Sequence, residues 1–320
     1  MTILSQGEAA TVIAPLPARP LSFKPESIGI MLGFGAALIW GAYLAMARAG
    51  VSAGLNGFDI AFFRFSVAGA ISLPWLVMHS PQTLGGVGWK RASILALLAG
   101  PLFILIGVGG YAFAPLAHGA VIQPAVLTIG AMVAASILFG DRLTVARIVG
   151  ISTIIFGLGV VAGPGLFKAS LTTPIGDAMF AIAGLMWAGF TILGKRWGIG
   201  PMAATAAVSV LSAVVIVPGY LATGGIAKLI ALPTSVVLGQ IIVQGVLSGV
   251  VGVLAFTRAV QLLGAGRAAI FPALVPATAI ILGIPIAGEM PTMLQLTGLV
   301  VVTAGLLVAM GLIRLPVFAR

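Results

Sequence analysis

Cysteine is absent from the 320 residues of this chain. Disulfides, thiol nucleophiles and thiolate metal sites are therefore excluded. Acid is scarce as well. Glu8, Glu26, Asp59, Asp141, Asp177 and Glu289 are the six carboxylates, and His79 and His118 are the two histidines. Each falls in a tail, in a connection or near the end of an apolar run. They show neither metal-ligand spacing nor the close pairing that general acid–base chemistry needs. The sequence reads as a non-enzyme with no metal site and no cofactor. No carboxylate falls at mid-span, where it would mark an ion or proton path.

What fills the chain instead is apolar. Hydrophobic residues make up 60%, charged residues 7%, and the mean hydropathy is +1.23. Ten apolar stretches, near 28–48, 58–78, 92–113, 117–139, 145–163, 175–195, 203–222, 236–257, 267–287 and 292–313, are each long enough to cross a hydrocarbon core of about 30 Å as a helix. The expected fold is all-α and integral to a membrane. Basic residues then set its orientation. Arg19, Lys24, Lys90, Arg91, Arg142, Arg147, Lys195, Arg196, Arg258, Arg267, Arg314 and Arg320 fall on one side. Only Arg48, Lys168 and Lys228 fall on the other, and Arg64 lies inside the second span. By the positive-inside rule both termini are cytoplasmic. The net charge of +10 is thus a topology signal and an attraction to anionic lipid, and does not point to nucleic acid. Residues 1–27 hold Pro15, Pro17, Pro20 and Pro25 and read as a cytoplasmic tail, not a signal peptide. Residues 314–320 form a second cytoplasmic tail.

The chain is also written twice. At an offset of 147, Trp40 meets Trp187, Tyr43 meets Phe190 and Arg48 meets Lys195. At 148, Pro124 meets Pro272, Gly140 meets Gly288, Asp141 meets Glu289, Thr144 meets Thr292, and Gly150 and Gly157 meet Gly298 and Gly305. The first copy occupies 28–163 and the second 175–313. Five spans is an odd number, so the second copy enters the membrane inverted. Two inverted five-helix repeats around a central cavity are the geometry of alternating access.

Gly-Asp-Arg-Leu-Thr at 140–144 and Gly-Glu-Met-Pro-Thr at 288–292 resemble the Gly-Glu-x-x-Thr element of the EamA domain. Leu-Ile-Trp-Gly at 38–41 and Leu-Met-Trp-Ala at 185–188 are similar to its first-helix Trp motif. The resemblance covers roughly 28–313. It implies the drug/metabolite transporter superfamily, whose bacterial members export small metabolites and amino acids. The segment Trp187–Thr191 is similar to that of the superfamily's aromatic amino acid exporters. Leu127-Thr128 stands where those exporters carry Trp-Pro.

Candidate solute contacts follow from polarity at mid-span. Trp40 and Tyr43 share a face of the first span, and Trp187 and Phe190 repeat them on the sixth. A Trp away from the interface needs a partner for its indole N–H, which a polar cavity supplies. Gln240, Gln244 and Ser248 line one face of the eighth span. Their counterparts, Ala92, Ala96 and Gly100, are not polar side chains. Amides facing lipid are costly, so this stripe faces protein or water. Pro124, Pro272 and Pro276 are expected to kink the fourth and ninth spans and to act in gating. Gln123 and Phe271, which precede two of these prolines, join Tyr111 in completing the candidate set. Arg64 could pair with Asp59 or cap carbonyls; it either snorkels toward the outer interface or anchors a substrate carboxylate. Thr144 and Thr292 read as helix N-caps, with Asp141 and Glu289 near the favourable dipole end.

These features lead to one expectation. The protein exports small organic solutes across the bacterial inner membrane, with amino acids as the first reading, as a facilitative uniporter. Export of drugs or nucleotide-derived metabolites stays open, as does a pore or scaffold. A reporter fused after Arg320 is expected to be cytoplasmic. A signal from the outer side would contradict the topology.

Overall fold

The computed structural model describes residues 24–140, 144–162 and 172–313, with backbone only at Ala265 and Gly266. The expected N-terminal tail up to residue 23, Asp141, Arg142, most of the 164–174 connection and the 314–320 tail lie outside the described residues. Within them the secondary structure is helical, with no strand.

Eight helices are long and apolar enough to cross a membrane. They are α1 (Pro25–Ser52), α2 (Gly57–Met78), α3 (Trp89–Ala112), α4 (Leu116–Phe139), α6 (Thr173–Arg196), α7 (Pro201–Ala222), α8 (Thr234–Leu263) and α9 (Ile270–Ala287). Two shorter apolar helices complete the set, α5 (Val145–Ala162) and α10 (Met293–Ala309). The helices start and stop where local chemistry dictates. Pro25 opens α1 at a position whose N–H would have no intrahelical acceptor. Asn56 caps α2 by accepting from Phe58 N at 2.9 Å and Asp59 N at 3.1 Å, while the Asp59 carboxylate accepts from Asn56 N at 2.7 Å. Thr292 caps α10 in the same way with Gln295. At Thr144 the hydroxyl accepts from Arg147 N at 3.3 Å. Gly140 and Gly288 end α4 and α9 in the left-handed conformation, φ +70° and +68°, which only glycine adopts without strain.

Two helices depart from regular α geometry. In α3 the ladder breaks at Gly100, with φ −94° and ψ −144°, and restarts at Pro101. Pro101 has no N–H to offer the Leu97 carbonyl. In α8, residues Ile241–Val251 are π-helical, with bonds from i to i+5. The prolines expected to kink their helices lie within continuous helix. α4 runs unbroken through Pro124, and Pro272 sits in the first turn of α9. Pro276 does lie in the interior of α9.

Packing pairs the first half with the second. α1 lies on α8 and α9, α6 lies on α3 and α4, α2 packs on α7, and α5 packs on α10. Small residues permit the closest approaches. A side chain at Gly150 would strike the Ala309 backbone, and one at Gly298 would strike that of Val161. Gly157 faces Val302, and Gly305 faces Ile154 and the Gly150 carbonyl. α5 and α10 therefore cross in antiparallel fashion on their glycine faces. Gly305→Val would drive its methyls into backbone, which cannot turn aside. The expected cost is about 1–3 kcal/mol of stability in detergent. An unchanged unfolding midpoint would contradict this packing.

Candidate solute-binding site

The irregular segment of α8 brings polar side chains against α1 and α2. Gln244 and Gln240 are fully buried. Gln244 Nε2 donates to the Tyr43 carbonyl at 3.1 Å, and Gln240 Nε2 donates to the Met46 carbonyl at 2.7 Å. Each amide oxygen, Oε1, is buried without a partner among the described residues. The Gln stripe is thus half glue between helices and half free acceptor. Arg64 Nη1 donates to Ser248 Oγ at 2.9 Å. The guanidinium also lies over the Tyr43 ring, 5.2 Å from its centroid, and 6.0 Å from that of Phe65. Trp40, one turn before Tyr43, tilts against Phe256 at 5.3 Å, with its indole N–H edge close to Gly252.

Tyr43, Arg64, Gln244 and Ser248 therefore form one cluster at the junction of α1, α2 and α8, with Trp40 alongside. The expected pairing of Arg64 with Asp59 is not made. Asp59 accepts from Tyr220 Oη at 2.7 Å and pairs with Lys228, and it is 3% exposed. Nor does Arg64 snorkel outward. Its guanidinium reaches inward to Ser248, midway along α8.

The matching aromatics form a second group. Trp187 and Phe190 lie 5.2 Å apart on α6, and Phe103 of α3, just past the break, approaches Trp187 to 5.0 Å. The Gln123 amide lies beside Gly107 of α3. Ser212 of α7 points at Gly100, its buried hydroxyl unpartnered. Two candidates sit apart from both groups. Phe271 packs its ring on Gly33, a helix contact near the start of α9. Tyr111 lies tilted against Phe180 at 4.8 Å, at the end of α3 where α1 finishes, its buried hydroxyl without a partner among the described residues.

That end is also held by ions. Arg48 pairs with Glu289 and donates to the Tyr111 carbonyl. Glu289 Oε2 accepts from Leu116 N at 2.8 Å, the first amide of α4. Glu289 is therefore an ion-pair partner for α1 and a capping residue for α4 as well as the acid preceding α10. His118 meets Asp177 at 2.8 Å nearby, joining α4 to α6. At the opposite end Arg267 pairs with Glu26, exposed. A cavity of about 310 Å³ opens beside Glu289, lined by Pro115, Leu116, Ile280, Thr292 and Gln295. None of the candidate solute contacts lines it. Among the described residues no group of acids and histidines could hold a metal.

Sequence reasoning singled out Arg64 but missed its partners, and it missed Phe103, Phe256 and the Arg48–Glu289 pair. Arg64's signal was present: it is a basic residue in the interior of a span, about two turns from its start.

These helices define a multi-pass membrane protein. Its sequence matches the EamA-like transporter family twice, over residues 27–163 and 174–311, so the chain belongs to that family. It is similar to an uncharacterized transporter, YyaM, of Bacillus subtilis (strain 168), with 28% identity over 186 residues. That match takes in 57% of this chain and only 60% of the relative. A solved crystal structure with 17% identity superposes with a TM-score of 0.58, covering 89% of this chain and 97% of that one. The likeness is one of fold.

The Arg48–Glu289 pair is three-quarters shielded from solvent, and it ties four elements together. Hydrogen bonds to charged groups contribute about 1.5–3 kcal/mol. A double-mutant cycle on Arg48→Ala and Glu289→Ala is expected to give a coupling of about 1 kcal/mol or more in detergent unfolding. Additive losses would show that the pair contributes nothing.

Proposed function

We propose that this protein exports small organic solutes, amino acids first among them, across the bacterial inner membrane by alternating access. In this reading all ten helices span the membrane as two inverted five-helix repeats, with both termini cytoplasmic and the Arg48–Glu289 end outermost. It is a transporter and not an enzyme.

The observation that carries the reading is an exchange of contacts. Under the 148-residue offset, the contact of Gly150 with Ala309 becomes that of Gly298 with Val161. Likewise Gly157 on Val302 becomes Gly305 on Ile154. The packing of α1 on α8 and α9 becomes that of α6 on α3 and α4. An approximate twofold axis lying in the membrane plane would relate all of these contacts, which supports reading the halves as inverted. Two three-helix groups result, α1 with α8 and α9, and α6 with α3 and α4. Each mixes both halves. Rocking one group against the other would open the space between them to either side in turn.

Solute contacts in this reading are Trp40, Tyr43, Gln244 and Ser248 in the first group and Tyr111, Gln123, Trp187 and Phe190 in the second. Phe271 and the prolines Pro124, Pro272 and Pro276 shape the walls and their movement. Gly100 and the matched residue Ser248 fall within the two irregular segments, where backbone groups freed from the α ladder need polar surroundings. Uniport fits the absence of a free carboxylate at mid-span among the described residues, since Glu26, Asp59, Asp177 and Glu289 are all engaged near helix ends.

Trp187→Ala and Gln244→Ala are each expected to weaken solute binding by about 1–3 kcal/mol, through loss of a ring face or a hydrogen-bond partner. The measurement is flux in proteoliposomes at equal reconstituted protein. Wild-type flux in both variants would make these residues packing only.

A further inference from the structure

We propose that Arg64 is the anchor for a carboxylate on the transported solute, and that this chain selects carboxylated solutes over amines and amides. The inference rests on the export reading and names the solute's charged group.

A guanidinium at this depth requires compensation. It cannot lose its proton, and an unpaired charge surrounded by hydrocarbon is costly. Four acids occur among the described residues, and each already has a side-chain partner. Glu26 pairs with Arg267, Asp59 with Lys228, Asp177 with His118 and Glu289 with Arg48. Among the described residues Arg64 meets neutral groups, the Ser248 hydroxyl and the faces of Tyr43 and Phe65. Guanidinium offers five N–H donors in a planar fork. One is used, on Ser248. The Tyr43 ring, 5.2 Å from the guanidinium carbon, is a cation–π neighbour and accepts none of the remaining N–H donors in a conventional hydrogen bond. A planar carboxylate fits such a fork with two parallel hydrogen bonds.

The surroundings are built to hold the fork in place. Ser248 lies in the π-helical stretch of α8. Gly245 and Gly249 flank it, and their missing side chains let α2 approach at Phe63, Val67 and Ala68. One turn from Ser248, the Gln244 oxygen is a fully buried acceptor without a partner. An N–H donor on the solute would satisfy it. A carboxylate and an N–H on one small molecule describe an amino acid or a close derivative. A phosphate dianion fits less well, because no second basic residue shares the cluster and a net negative charge would remain. The matched position in the second half has no cation. Arg64 and Ser248 correspond to Ser212 and Gly100, so the anchor belongs to one half only.

The test is counterflow into proteoliposomes with four probe sets: the L-amino acids, their C-terminal amides, simple 2-keto acids, and phosphomonoesters. The expected result is exchange of acids but not of amides. Arg64→Gln should raise the half-saturating concentration of carboxylated probes at least tenfold. Arg64→Lys, which keeps the charge but loses the fork, should fall between. Ser248→Ala should give a smaller loss, through looser positioning of the guanidinium. Monodisperse elution of each variant guards against misfolding. Arg64-dependent exchange of keto acids alone would keep the anchor and overturn the amino acid reading. Equal exchange of amides and acids, or Arg64-dependent exchange of phosphomonoesters alone, would overturn the anchor and leave export standing. Wild-type behaviour of Arg64→Gln, or no Arg64-dependent exchange of any carboxylated probe, would overturn it as well.

Discussion

Hydrocarbon offers no hydrogen bonds, and that constraint shapes every level of this molecule. It forces the backbone into helices that satisfy their own donors and acceptors. It confines capping chemistry to the ends, at Asn56, Thr144 and Thr292. It also makes each exception costly. The exceptions are few: a break at Gly100–Pro101, a π-helical stretch from Ile241 to Val251, and one guanidinium in the interior of a span. The π-helical stretch and the guanidinium meet in one place, where Ser248 accepts from Arg64. The break at Gly100 falls at the matched position of the other half, facing Ser212.

Helix association in such a protein cannot rest on the hydrophobic effect, because lipid tails are as apolar as leucine. Close fit and interhelical hydrogen bonds take its place. Glycines at 150, 157, 298 and 305 bring α5 and α10 into backbone contact. Thr278 reaches across to the Ala37 carbonyl at 3.0 Å and the two buried glutamines reach Tyr43 and Met46, so that α1 is stitched to α8 and α9. Ions are kept for the helix ends. There the Arg48–Glu289 pair does more than join α1 to the α9–α10 connection. Through the Tyr111 carbonyl and the Leu116 amide it also grips the α3–α4 connection, which belongs to the other group of helices.

The sequence was legible where hydropathy and local chemistry decide. Helix positions, the Thr292 cap and the glycine-matched ends of α4 and α9 follow from runs of apolar residues and the residues that interrupt them. The irregular segments did not follow. Pro101 sits in a long apolar run and has no proline at its matched position, Gly249, so a search for matched prolines passes over it. Pro124 and Pro272 are matched, yet the α ladder absorbs the first and the second needs no donor where it stands. The π-helical stretch lies where α8 packs on α1 and α2, and no local sequence pattern marks it. Pairs such as Arg48 with Glu289, separated by 241 positions, depend on the tertiary fold. Arg64 stood out as a lone charge, but only its neighbours on α1 and α8 show that it turns inward.

Rocking of the two three-helix groups is the central claim, and the lack of cysteine makes it directly measurable. Spin labels at Ser52→Cys and Phe113→Cys would report the separation of the groups at the Arg48 end. Labels at Ile28→Cys and Ile137→Cys would report it at the other end. Pulsed dipolar spectroscopy in nanodiscs should show two distance populations at each end. Glu289→Gln should lengthen the first separation and shorten the second. A single distance at each end, unmoved by that substitution or by transported solute in a protein that still transports, would contradict the account.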